Sequence, residues 1–173
     1  MENKTYTMIA LMIFVAYPTV SFGHARIKSS AALIPRSSSD GLKTGPCGGV
    51  PRTNSAKTFA PGETITLNWE ETINHPGQFE FYFSLANDVN FTLLKTVVDD
   101  KDSTTDLPHQ YSTTLTLPNV SCDQCTLQMI QLMTDRNPPT RYYSCSDIVL
   151  SGDTSKTPPP SPTPPPKNVE CPK

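Results

Sequence analysis

The chain has 173 residues and a formal net charge of −2, with no long run of one sign. That distribution argues against a nucleic-acid partner or an anionic membrane surface, both of which need clustered Lys and Arg. The length, once its two atypical ends are set aside, is enough for one hydrophobic core and too little for two domains.

Residues 1–23 are predicted to be an export signal. A short polar start containing Lys4 runs into the apolar stretch from Met8 to Ala16, which Pro18 ends, and this is too short to span a membrane. Ser21 and Gly23 supply small residues at the −3 and −1 positions of a peptidase site, making His24 the favoured first mature residue. Cuts after Ser21 or after Ala25 also satisfy the small-x-small rule. The expected location is secreted and extracellular.

Residues 24–152 are predicted to form one folded domain, and residues 153–173 a disordered Pro-rich tail. In the tail, the run from Lys156 to Lys167 is dominated by proline, which removes backbone donors and favours an extended conformation suited to a spacer.

Within the domain, period-two alternation predicts a strand over Glu63–Glu70, with Ile65, Leu67 and Trp69 on one face. The next run, Gln78–Ser84, places Phe79, Phe81 and Phe83 on one side and Glu80, Tyr82 and Ser84 on the other. This phenylalanine stripe reads as core and not as a carbohydrate platform. Further strands are predicted over Phe91–Val97, Tyr111–Leu117, Thr126–Met133 and Tyr142–Leu150, separated by turn-rich segments such as Asp99–Asp102 and Asn137–Pro139. No segment long enough for a stable helix shows a 3.6-residue apolar period. Six or seven short strands predict an all-β fold: an antiparallel, immunoglobulin- or fibronectin-like sandwich.

Five cysteines in an exported chain read as disulfide formers; four lie in the domain, which allows three pairings, and Cys171 lies beyond the proline run. Cys122 and Cys125 have no second cysteine pair to complete a zinc site, so a short disulfide is expected between them. Asn90-Phe-Thr92 and Asn119-Val-Ser121 are acceptor sequences for N-glycosylation in a eukaryotic secretory compartment.

The chemistry centres on the expected N-terminus. A terminal histidine can close a chelate ring through its free α-amine and its own Nδ1, which an internal histidine cannot do. A second imidazole opposite completes a T-shaped set of three nitrogens suited to copper in either oxidation state. The amine's ordinary pKa near 7.7–8.0 leaves only a weakly held proton to displace. Two other histidines are present, and His75, in Thr72–Gly77, falls in a loop at one end of the sandwich, where ligands converge. His109 reads as a solvated loop residue. Asp147 is expected to accept hydrogen bonds at the edge of the site or to cap a loop. Glu71 and Gln131 are candidates for groups behind the site, with no position assigned by the sequence.

The combination of His24-Ala-Arg26, Leu67-Asn-Trp-Glu-Glu-Thr-Ile-Asn-His75-Pro-Gly77 and Tyr142-Tyr-Ser-Cys-Ser-Asp-Ile148 resembles the lytic polysaccharide monooxygenases and their histidine-brace relatives. Thr44-Gly-Pro-Cys-Gly-Gly49, Cys122-Asp-Gln-Cys125 and Tyr142-Tyr-Ser-Cys145 resemble a small subfamily with a pared-down core. The resemblance covers most of residues 24–150. It implies copper as cofactor, His24 and His75 as its ligands, and Tyr142 as the axial aromatic, these three forming the catalytic set. It also implies pairing of Cys47 with Cys145 and Cys122 with Cys125, and oxidative cleavage of a β-linked polysaccharide such as chitin or cellulose by a monomer drawing on an external electron donor. One departure stands out: Ala25–Pro46, which in catalytic relatives commonly helps build a flat surface with exposed aromatics, contains no aromatic residue. Two other readings therefore remain open, a non-catalytic extracellular copper-binding protein and a carbohydrate- or cell-wall-binding module without metal.

Overall fold

Alternation of apolar and polar residues decides the two strands that dominate the interior. Ile65, Leu67 and Trp69 on one strand and Phe79, Phe81 and Phe83 on the next are all buried, and the Trp69 ring packs edge-on against Phe79 and Phe81 at 5.3 and 5.0 Å between centroids. A pleated strand presents every second side chain to one face, so these six residues commit two strands to opposite sides of one core.

The computed structural model describes residues 24–152; the expectations for residues 1–23 and 153–173 lie outside them. Eight strands follow in chain order: β1 (Ala25–Ile27), β2 (Lys57–Phe59), β3 (Thr64–Glu71), β4 (Gly77–Ser84), β5 (Thr92–Val98), β6 (His109–Thr116), β7 (Cys122–Met133) and β8 (Thr140–Leu150). They form a three-stranded sheet in the order β1-β3-β6 and a five-stranded sheet in the order β2-β8-β7-β4-β5. The core lies between the sheets, filled by Ile27, Leu67, Trp69, Phe81, Met129 and Ile148 with their buried neighbours. The fold is thus the expected all-β sandwich, and no helix occurs among the described residues.

Several local expectations are corrected. β1 and β2 are three-residue strands, too short for alternation to reveal. β2 pairs parallel to β8, through Lys57↔Ile148 to Phe59↔Leu150, so the sandwich is antiparallel everywhere except at that edge. Predicted boundaries move by one to four residues; β6, for example, starts at His109 and not at Tyr111. Ser84 is buried instead of facing out, because its hydroxyl donates to the Ala86 and Val89 carbonyl oxygens and closes the turn after β4.

The long connection from Lys28 to Ala56 lacks a core of its own and is fastened onto the outer part of β8. Arg36 N–H donates to the Cys145 carbonyl and Tyr143 N–H to the Leu42 carbonyl, each at 2.8 Å, while Pro35 bridges Ser146. These bonds occupy backbone groups of β8 that would otherwise form an open sheet edge. The Cys47–Cys145 and Cys122–Cys125 disulfides are present, as the resemblance implied.

Candidate functional site

β1 pairs antiparallel with β3, Ala25 opposite Glu71, so His24 lies beside Thr72 at the start of the loop that carries His75. Two backbone hydrogen bonds fix it there: His24 N–H donates to the Asp40 carbonyl at 2.9 Å, and Thr72 N–H donates to the His24 carbonyl at 2.8 Å. The Thr72 hydroxyl also donates to Asp40 Oδ2 at 2.9 Å, tying all three segments together. Ile27 N–H donates to Ser144 Oγ at 3.1 Å, which lays β1 against β8 and sets His24 near Tyr142.

The structure brings the three predicted site residues together. The His24 and His75 rings lie 5.0 Å apart between centroids and 13° from parallel, and the Tyr142 ring stacks on His24 at 3.6 Å and 15°. Two imidazole nitrogens bound to one ion at about 2.0–2.1 Å each stand at most ~4 Å apart, so rings this close can share an ion. Tyr142 and Tyr143 alternate on β8, and it is Tyr142 that is buried, while Tyr143 is only half-buried. Lys43 Nζ lies 5.1 Å from the centre of the Tyr142 ring.

The donor atoms fit a metal ion. His24 Nδ1 is buried and has no hydrogen-bond partner, an arrangement that normally carries a penalty unless a ligand occupies the atom. Burial first, and then coulombic repulsion from the neighbouring His75 and Lys43, pull the His24 pKa down to about 4, so its imidazole is neutral at pH 7 with a free lone pair. His75 Nδ1 lies 3.0 Å from Asp135 Oδ2. With Nδ1 so engaged, Nε2 is the nitrogen left to coordinate, a common way to fix tautomer and ring orientation. Among the described residues no three His, Cys, Asp or Glu side chains are grouped to hold a metal.

Behind the loop sits a polar cluster buried in the sandwich. The Glu71 carboxylate accepts from His75 N–H at 3.2 Å and from Gln131 Nε2 at 2.7 Å through one oxygen, and its other oxygen pairs with His109 Nδ1 at 2.9 Å. Burial pushes the Glu71 pKa up to about 7, with the His109 hydrogen bond opposing and Asp99 adding to the rise. His109 is therefore no solvated loop residue: it is 4% exposed and begins β6. Its signal was in the sequence, since His109 continues the inward alternation of Tyr111 and Leu115, but the preceding proline suggested a loop. Asp135 gave no signal, because an acid in a hairpin turn is ordinary until the β4–β7 register places it beside His75.

Asp147 belongs elsewhere. It lies five residues along β8 from Tyr142, roughly 16 Å at strand rise, and its carboxylate pairs with Arg36 at 2.7 Å and Arg52 at 3.2 Å and accepts from Thr53 N–H at 2.7 Å. Of its two expected roles it takes the second, capping the loop at Thr53 and anchoring the long connection, and does not border the site.

A profile of the family described as lytic polysaccharide mono-oxygenase, cellulose-degrading, matches residues 26–148. The chain belongs to that family. Among solved structures it is similar to a lytic polysaccharide monooxygenase AA15 from Thermobia domestica in the Cu(I) state, with 21% identity, 64% of this chain and 78% of that one covered, and a TM-score of 0.50. It is also similar to an AA10 lytic polysaccharide monooxygenase from Streptomyces lividans, at 19% identity, 73% and 81% coverage and a TM-score of 0.46. No curated protein matches the chain.

Proposed function

We propose that this protein is a secreted, copper-dependent monooxygenase that oxidatively cleaves a β-linked polysaccharide of the chitin or cellulose class. Export removes residues 1–23, the domain of residues 24–152 carries the site, and residues 153–173 serve as a spacer. The observation that carries the reading is the buried, partnerless His24 Nδ1 beside the His75 ring in a chain of this family.

In the mature protein the nitrogen of His24 becomes an amine. It keeps one hydrogen for the Asp40 carbonyl, which already accepts from it, and presents its lone pair beside Nδ1. His75 offers Nε2 from the other side, held by Asp135. Tyr142, 3% exposed and stacked on the His24 ring, would keep water from the protein side of a copper ion held there. Copper held there would supply one-electron chemistry toward dioxygen or peroxide, with electrons from an external donor. The protein's part is to fix the nitrogens before substrate arrives and to keep the protein side of the site dry.

The test is direct. Copper-loaded protein beginning at His24, given ascorbate, should release oxidised oligosaccharides from chitin or cellulose, detected by mass spectrometry, and His75→Ala should release none. Failure to oxidise any polymer in a broad β-linked panel contradicts the proposal. The second reading, non-catalytic copper binding, draws on the absence of aromatics from Ala25–Pro46, a segment fastened to β8. It predicts tight copper binding with no polymer affinity.

A further inference from the structure

The end of the sandwich opposite His75 carries an open apolar groove of about 460 Å³. β4 separates the two ends, roughly 25 Å of strand at ~3.3 Å per residue. The groove lies between the β4–β5 and β6–β7 connections and is lined by Phe83, Leu85, Val89, Pro118 and Val120, with no charged side chain in its wall. Leu85, Val89 and Val120 are 55%, 53% and 40% exposed, so these aliphatic side chains meet water together at one place. Contiguous apolar surface of this kind on a secreted domain calls for a cover.

Both N-glycosylation acceptors of the domain stand at this groove. Asn90 is part of its wall, and Asn119 sits between Pro118 and Val120, which also line it. Both asparagines are exposed, as are the hydroxyl residues Thr92 and Ser121 two positions on. Neither side-chain amide makes a hydrogen bond among the described residues, so each is free to react. Asn90 adopts φ 52°, a left-handed conformation that asparagine tolerates better than most residues and that belongs to a tight, protruding turn.

We infer that Asn90 and Asn119 carry N-linked glycans whose innermost sugars cover this groove. In each case the asparagine Nδ2 forms a bond to C1 of an N-acetylglucosamine, supplied by a lipid-diphosphate-linked oligosaccharide. The C1–oxygen bond to the diphosphate breaks, the lipid diphosphate leaves with the bonding pair, and an amide proton passes to solvent. N-acetylglucosamine suits the groove because its C–H face and acetyl methyl can lie on aliphatic side chains while its hydroxyls remain in water. Two attachment points on one rim favour a tethered sugar over a dissociable protein partner, and they leave the His24 end bare.

The full chain secreted from a eukaryotic host should carry sugar at both positions by intact mass and glycopeptide mapping. Trimming the folded glycoprotein with an endoglycosidase leaves one N-acetylglucosamine per site, and this form should bind a hydrophobic fluorescent dye weakly. Amidase release on the folded protein, and separately the Asn90→Gln, Asn119→Gln variant, should raise dye fluorescence several-fold; the enzymatic route does not depend on the variant folding. An unmodified Asn90 or Asn119 in the secreted protein overturns the inference. Equal dye binding by trimmed and sugar-free forms also overturns it, and hands the groove to a protein partner.

Discussion

Asp135 shows how much of the site rests on one contact per residue. Its carboxylate holds His75 Nδ1 and thereby leaves Nε2 for coordination. Supporting hydrogen bonds of this type are worth about 10–100-fold in metal affinity. Asp135→Ala should weaken copper binding by that factor in a competition titration while leaving thermal unfolding nearly unchanged, since the pair is partly exposed. Glu71 is the opposite case. Replacing it with Ala strands Gln131 Nε2 and His109 Nδ1 in a buried space, and at roughly 1–3 kcal/mol for each unsatisfied group the loss should reach about 2 kcal/mol or more in denaturant unfolding. At this scale the sequence revealed His75, because a histidine before Pro-Gly after an alternating strand must sit at a sandwich end. It did not reveal the Glu71–His109–Gln131 cluster, whose members lie 38 and 60 positions apart and meet only through sheet pairing.

Among the elements, β3 and β4 were legible to within a residue at their ends because Ile65, Leu67, Trp69 and the three phenylalanines repeat at the strand period. β1 was not, although it positions His24, because three residues cannot display a period. Gly77, the first residue of β4, illustrates how the site depends on a strand start. A Cβ there would run into the Leu132 carbonyl oxygen, where β4 and β7 lie in close register. Gly77→Ala should force the strands apart beside His75, lowering both melting temperature and copper affinity.

The long connection depends on Arg36, whose guanidinium is almost wholly buried between Asp88 and Asp147 at 2.6 and 2.7 Å. Removing one partner of a buried pair typically costs about 3–5 kcal/mol, so Asp147→Ala should show a loss of that order in chemical denaturation. The Arg36 hydrogen bond, with help from Thr126 and against burial, holds the Asp88 carboxyl below its ordinary value. A carboxyl depressed in the folded state contributes stability above its unfolded pKa of about 3.9 and loses it as pH falls toward the folded value. Asp88→Asn should therefore be less stable than the parent at pH 7, with the gap narrowing below about pH 4.

For the molecule as a whole, two sheets over one core were predictable from strand count and length, whereas the parallel β2 edge and the route of residues 28–56 were not. The family resemblance implied its Cys47–Cys145 bridge across 98 positions, but not the backbone bonds that fasten Arg36 and Leu42 to β8. On the chain-entropy model such a closure stabilises by about 4–5 kcal/mol, so Cys47→Ser with Cys145→Ser should lower the unfolding free energy by up to that amount. It should also loosen β8, which carries Tyr142. The proposed copper chemistry turns on the amine of His24 acting with its own imidazole and with His75. Electron paramagnetic resonance of Cu(II)-loaded protein beginning at His24, compared with the same protein carrying one extra residue before it, tests this most directly. The expected result is three-nitrogen coordination in the first and its loss, with much weaker binding, in the second. Identical spectra and affinities for the two forms would contradict it.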